Sequence, residues 1–297
     1  RRGAARCQWP RRGTRPRLPR RAAEGFSEVD DDSGTDTEPD AEALDTSTPA
    51  ALDAAESTIS SSMYAEMQRG GSRRSPKGID HLLASNRVWR TEVARRDPRY
   101  FQEMGKRHQP QYMWIGCADA RITADRIVNV AQGDMFVARN IANLVVHTDF
   151  SLMSAVAYAV DVLQVKHVIV CGHYDCGGVK ASMENVDHSS PLENWLRNIR
   201  DVYRLHAEEL EAIEDVTQRQ RRLVELNVVE QCMNLFKTGV VQRRRVFTAG
   251  NPDFEFTQPR VHAVVYDPGE GVLRQLKVDF RGLLTKYARI YGLYHRD

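Results

Sequence analysis

The chain has no apolar run approaching the ~18 to 20 residues that a membrane-spanning helix requires, so no helical span is expected. It has almost no net charge, +2 over 297 residues. That removes any bulk argument for a nucleic-acid partner. Cysteine is sparse and odd in number, with five widely scattered residues. Such usage does not build a disulfide framework and leaves thiols free for metal. Two further absences are local. No acidic residue precedes Glu24, and neither Lys nor Arg occurs from Ser27 to Met63. Both segments are poor in large apolar residues and cannot offset the entropy of ordering. Residues 1–75 therefore read as a disordered, basic-then-acidic extension. Its Arg-rich start resembles an organelle targeting segment, mitochondrial or plastid, with a cytoplasmic location as the alternative.

From residue 76 the text becomes that of one folded domain reaching to 297. "GIDHLLASNRVWRTEVARRDPRYFQEMGK" has helical spacing broken at Asp97-Pro98. "QYMWIG", "MFVAR" and "KHVIVCG" read as buried strands, alternating with helices such as "SLMSAVAYAVDVLQV". That alternation predicts an α/β fold with a parallel sheet. Two long helices follow, "PLENWLRNIRDVYRLHAEEL" and "TQRQRRLVELNVVEQCMNLFKTGVV". "RRVFTAG", "RVHAVVYDP" and "GVLRQLKVDF" read as further strands, with "PGEG" as a turn.

The chemistry concentrates in two short motifs. "VCGHYDCGG" holds His173 and Cys176 just after the third strand, and "CADAR" holds Cys117, Asp119 and Arg121 just after the first. In an open parallel sheet, ligands bind outside the carboxyl ends of the strands. If the two strands are neighbours, Cys117, His173 and Cys176 meet as a Cys2His set suited to zinc, with a fourth position left over. Asp119 closes that position itself, or pairs with Arg121 and leaves it to water. Taken singly, each residue has a plainer account as a buried cysteine, a hydrogen-bonded core histidine or a structural ion pair. Cys171 and Cys232 read as core, and His167 and His262 as structural.

"MWIGCADARITADRI", "GDMFVARNIANLV", "VKHVIVCGHYDCGGVKA", "NWLRNIRD" and "ELNVVEQ" occur in an order that resembles the β-class carbonic anhydrases. The resemblance runs from about residue 79 to 297. It implies reversible hydration of CO2 to bicarbonate and a proton by zinc-bound hydroxide. One Zn2+ per subunit is implied on Cys117, His173 and Cys176, with Asp119 and Arg121 as the catalytic dyad. It also implies a mostly parallel sheet with an antiparallel edge strand flanked by helices. A homodimer or tetramer is implied, the N-terminal helical arm wrapping a partner subunit. Members regulated by bicarbonate carry a non-catalytic Trp-Arg-Tyr pocket, and Trp114, Arg139 and Tyr266 match it. Phe136, Gly177 and Gly178 are expected at the substrate pocket. The family's usual glutamine nine residues before the first ligand is His108 here, with Gln109 beside it. Residues 247–261 look longer than the usual hairpin. Two other readings stay open: a zinc hydrolase acting on a sulfur analogue of CO2, and a zinc-stabilised scaffold without catalysis.

Overall fold

The computed structural model describes residues 78–106 and 108–293. The extension expected over 1–75, with its targeting reading, lies outside the described residues. Helices α1 (Asp80–Arg96) and α2 (Tyr100–Lys106) open the described chain. Proline disfavours helical backbone in the residue before it. Asp97 is accordingly extended and ends α1. Neither helix buries a residue, and Ile79, Leu82 and Leu83 stay exposed.

Strands β1 (Tyr112–Cys117), β2 (Met135–Asn140), β3 (His167–His173), β4 (Arg260–Asp267) and β5 (Val272–Gln275) form one sheet in the order β2-β1-β3-β4-β5. The first four are parallel, and β5 pairs antiparallel with β4 at the edge. The near-continuous apolar runs of β1 and β3 are what a strand covered on both faces requires. Alternation sends Met113, Ile115, Val168, Val170, Ala263 and Val265 into the main core. On the other face Trp114 and Cys171 form a small cluster with Ala124, beside Ile169 and Tyr266.

The connections are α3 (Ala124–Val128), α4 (Phe150–Ala157) running into a π-helical turn (Tyr158–Val162), α5 (Gly177–Ser182), α6 (Leu192–Leu205) and α7 (Ala207–Glu211). Helix α8 (Val216–Phe236) is the largest buried element, with ten buried residues. It starts where the Asp215 carboxylate accepts the Gln218 amide at 2.7 Å, an N-cap. Helices α9 (Gly239–Thr248) and α10 (Phe280–Tyr291) complete the set.

Three expectations are corrected. "RRVFTAG" is not a strand: residues through Thr248 belong to α9. The burial of Val241 and Thr248, seven apart on one helical face, overrides the local β-branched composition. Residues 249–259 are therefore no hairpin but the link from α9 to β4, held where Thr248 Oγ1 accepts from the Gln258 amide at 2.8 Å. "GVLRQLKVDF" is a strand only over Val272–Gln275, and its end leads into α10, capped by Asp279.

Candidate metal centre

β1 and β3 are hydrogen-bonded neighbours, Gly116 opposite Cys171, so their carboxyl ends share one edge. Cys117 closes β1 and His173 closes β3. Beyond His173 the chain reverses through Asp175, held at φ 55. It then enters α5 with Cys176 at the N-cap. Gly178 lets α5 pass close to Ile141: a Cβ there would fall 2.7 Å from Ile141 Cγ2 and force that side chain to shift.

These turns bring Cys117, His173 and Cys176 together, their ligand atoms within 4.8 Å of one another and all three residues buried. The two sulfurs are 3.9 Å apart. His173 Nδ1 lies 2.9 Å from the Tyr174 carbonyl. A carbonyl only accepts, so Nδ1 carries the proton and Nε2 presents its lone pair. That Nε2 is fully buried without a hydrogen-bond partner. A buried acceptor left bare is costly unless something coordinates it. The donor set of two sulfurs and one imidazole fits zinc. The Cys117 thiol is held down at about 4, first by the hydrogen bond from Cys176 and then against the opposing effect of burial. Cys176 is pushed up by the same bond and by burial. Two adjacent thiolates thus ionise together only with a cation between them.

Asp119 stands beside this set, its Oδ2 3.8 Å from His173 Nε2. Arg121 holds it with Nη2 on Oδ2 at 2.7 Å, Nε on Oδ1 at 3.0 Å and the backbone amide on Oδ1 at 2.9 Å. Those hydrogen bonds lower the Asp119 carboxyl to about 2. Of the two roles open to Asp119, the geometry is that of the Arg121 pair. Arg121 Nη2 also donates to the Asp175 carbonyl at 3.2 Å, tying the two motifs together.

Arg139 is engaged by two backbone carbonyls. Its Nε donates to the Cys117 carbonyl at 2.9 Å and its Nη2 to the Asp119 carbonyl at 2.5 Å. It clamps the turn that carries the dyad. Trp114 and Tyr266 do share one apolar cluster. Cys171 lies in that cluster, away from the metal set, and burial pushes its thiol up. Cys232 is buried in the main core, as read from the sequence. Gly177 has open space around its Cα and sits next to Cys176. Phe136 pairs with Met113, four residues before Cys117, roughly 13 Å along the strand at ~3.3 Å per residue. Its ring lies tilted against those of His108 and Tyr158 instead, with centroids 6.4 and 5.9 Å away. Within one chain Phe136 is thus not brought to the metal set, and Gln109 is exposed ahead of β1.

The sequence reading missed the segment that covers Cys117. Ala142 and Asn143 are both left-handed, at φ 61 and 50, and the Ala142 amide donates to Cys117 Sγ at 3.4 Å. Asn227 and Gln231 on α8 support that segment. Two amides four apart inside an otherwise apolar helical stripe were the legible signal.

The sequence profile described as carbonic anhydrase matches residues 112–273. A carbonic anhydrase of Emericella nidulans is 45% identical over 214 residues, covering 72% of this chain and 90% of that protein. Among solved structures, the β-carbonic anhydrase CafA of Aspergillus fumigatus is 31% identical with a TM-score of 0.64, covering 72% of this chain and 98% of that one. A tetrameric β-carbonic anhydrase of Sordaria macrospora is 34% identical with a TM-score of 0.62, covering 67% and 97%. With more than half of the sequence matched by the family profile and these relatives covered over most of their length, the chain belongs to the β-carbonic anhydrase family.

Proposed function

We propose that this chain catalyses the reversible hydration of CO2 to bicarbonate and a proton, with Zn2+ held by Cys117, His173 and Cys176. The observation that carries the reading is the bare, buried His173 Nε2 facing two cysteine sulfurs, with an Arg-held carboxylate 3.8 Å away. Zinc at such a site supplies acidification of a coordinated water toward neutral pH. The chain's own residues do the rest. Asp119, kept ionised by Arg121, can only accept a hydrogen bond. It therefore selects a donor hydrogen at the mouth of the site and turns the donor's remaining lone pair outward. Arg121 and Arg139 fix Asp119 from its side chain and its backbone, so little reorganisation is needed when the substrate arrives. A scaffold zinc has no use for this dyad, which favours catalysis over a purely structural role. The test is stopped-flow CO2 hydration on zinc-assayed protein from about pH 6.5 to 9. Hydration that rises with pH supports the reading. One zinc per chain with no hydration at any pH would overturn it.

Two finer proposals accompany it. Self-association is supported by α1, which buries none of its apolar residues, and by the tetrameric Sordaria relative. Light scattering giving a monomer at micromolar concentration would refute it. Bicarbonate inhibition through Trp114, Arg139 and Tyr266 is supported by Arg139 bonding the Asp119 carbonyl: an anion that draws the guanidinium away frees the dyad turn. If Trp114→Phe and Tyr266→Phe leave an observed inhibition untouched, that pocket is wrong. The extension over 1–75 is proposed as lying outside the catalytic domain at 76–297.

A further inference from the structure

Between β2 and α4 the chain crosses over Cys117 as a short strap. Asn140 closes its near end: Nδ2 donates to the Leu144 carbonyl at 2.7 Å, and Oδ1 accepts the Leu144 amide at 2.8 Å. Inside that ring Ala142 and Asn143 are consecutive left-handed residues without being glycine. Such backbone is unfavourable and persists only where its surroundings over-determine it. What determines it lies on α8. Asn227 Nδ2 donates to the Ala142 carbonyl at 3.0 Å. Gln231 Nε2 donates to Asn227 Oδ1 at 2.9 Å, and Gln231 Oε1 accepts the Val145 amide at 2.7 Å. Asn234 Nδ2 donates to the Val145 carbonyl at 3.1 Å. The three amides stand at i, i+4 and i+7, one stripe of the helix. Asn227 and Gln231 are only 1% and 2% exposed. Burying two amides in an apolar helix face is costly unless each is satisfied. Here each is, and the product of the arrangement is one N–H, that of Ala142, aimed at the sulfur of Cys117.

We infer that Asn227 and Gln231 are positioning residues of the metal centre, which hold the 140–145 strap so that the Ala142 amide donates to the Cys117 sulfur. The inference rests on the zinc reading above. An N–H donated to a thiolate withdraws charge from it and fixes its direction, the outer-shell control that governs how tightly and how electron-rich a ligand sits on its metal. An apolar pair on α8 would strand the buried Ala142 carbonyl and Val145 amide, so loss of stability is expected as well and the metal readouts are compared at matched Tm.

The test uses the full-length holoenzyme, with Gln231→Met and Asn227→Leu, and Leu235→Ala as control. Leu235 is buried on the same helix and makes no side-chain bond to the strap. Gln231→Glu serves if the first two fail to fold, because it keeps the acceptor for Val145 and loses the donor to Asn227. Zinc release to a chromogenic chelator is expected to quicken roughly 10- to 100-fold in the strap variants. The thiolate-to-metal charge-transfer band of the cobalt-substituted protein is expected to move to longer wavelength. Strap variants that release zinc no faster than Leu235→Ala at matched Tm, with the cobalt band unmoved, overturn the inference and leave the zinc reading standing. Wild-type protein that binds no zinc overturns both.

Discussion

Sheet and helix approach closely in the main core at Gly172, the residue before His173. A Cβ placed there would lie 2.5 Å from Val228 Cγ2 and 3.2 Å from Val224 Cγ1. Carbon atoms prefer about 3.5 to 4.0 Å, so Gly172→Ala demands that α8 recede from β3 by roughly 1 Å. Neither valine can turn away, because a β-branched residue in a helix has essentially one χ1 rotamer. Both are fully buried, with no solvent to move into. Overpacking of this kind costs about 1–3 kcal/mol. Taking about 2 kcal/mol, a domain of this size loses roughly 4–8 °C in Tm. Val228→Ala alone removes two methyl-sized groups at about 0.8 kcal/mol each plus a cavity contribution, again about 2 kcal/mol. The cycle discriminates. If contact with Val228 is the cause, the double variant is destabilised by little more than Val228→Ala alone, a coupling of at least about 1 kcal/mol. Urea unfolding of the wild type, both single variants and the double variant measures it. Additivity within about 0.5 kcal/mol would refute the packing argument.

Three other outcomes follow from the site and the sheet. Stripping metal with a chelator at neutral pH should lower Tm. Zinc at a thousand times its Kd contributes about 4 kcal/mol, or roughly 8–16 °C; a melting curve indifferent to chelator and to His173→Ala would remove metal from the account. Arg121→Met and Asp119→Asn should each lower kcat/KM by roughly 10- to 100-fold, and the double variant by hardly more, because the pair acts as a unit; multiplicative losses would show independent roles. His167 and His262 share a hydrogen bond at 3.1 Å over an open groove of about 390 Å3. Burial first, then Arg260, lowers the pKa of His167, with Lys166 adding to it; burial and the neighbouring ring lower that of His262. A lowered histidine binds protons more readily when unfolded, so stability should fall as pH drops below the ordinary value of about 6.5. Thermal unfolding at pH 7.5 and 5.5 tests it, and a His167→Gln/His262→Gln variant with an undiminished slope would locate the titration elsewhere.

The parts of the fold legible in the sequence are those where one local pattern decides the outcome. β1 and β3 are apolar runs too short for helices, and both are covered on two faces, so nothing competes with the strand reading. Cys117, His173 and Cys176 follow those runs at once, which is why a metal set could be assembled from sequence. Where tertiary packing decides, local pattern misled. Val246 and Thr248 are β-branched and suggest a strand, yet Val241 and Thr248 bury a helical face of α9. The strap was invisible for a stronger reason. An alanine at φ 61 has no compositional signature, since only its neighbours' hydrogen bonds make that backbone affordable. Arg139 matched a motif, but its bonds to the Cys117 and Asp119 carbonyls could not be read from sequence, because backbone acceptors carry no residue signature.

The placement of the site follows from chain direction. From β1 the chain steps outward to β2, then returns across β1 to lay down β3 on its other side, and continues to β4. The strand order therefore reverses between β1 and β3, and connections leave their carboxyl ends in opposite senses. That opens a crevice where side chains from both strand ends face one another. Cys117 extends one residue beyond the last β1–β3 pair, and His173 two residues beyond Cys171 in the same pair. Two positions at adjoining strand ends thus converge without a long loop. Cys171, still within the pairing, packs in the Trp114 cluster and takes no part in the metal set. The turn through Asp175 then needs only three residues from His173 to deliver Cys176. A site built this way draws its rigidity from the sheet itself, and what remains to be fixed is the one ligand that has no turn of its own, Cys117. Arg139 from β2 and the strap over α8 both act there, on its carbonyl and on its sulfur.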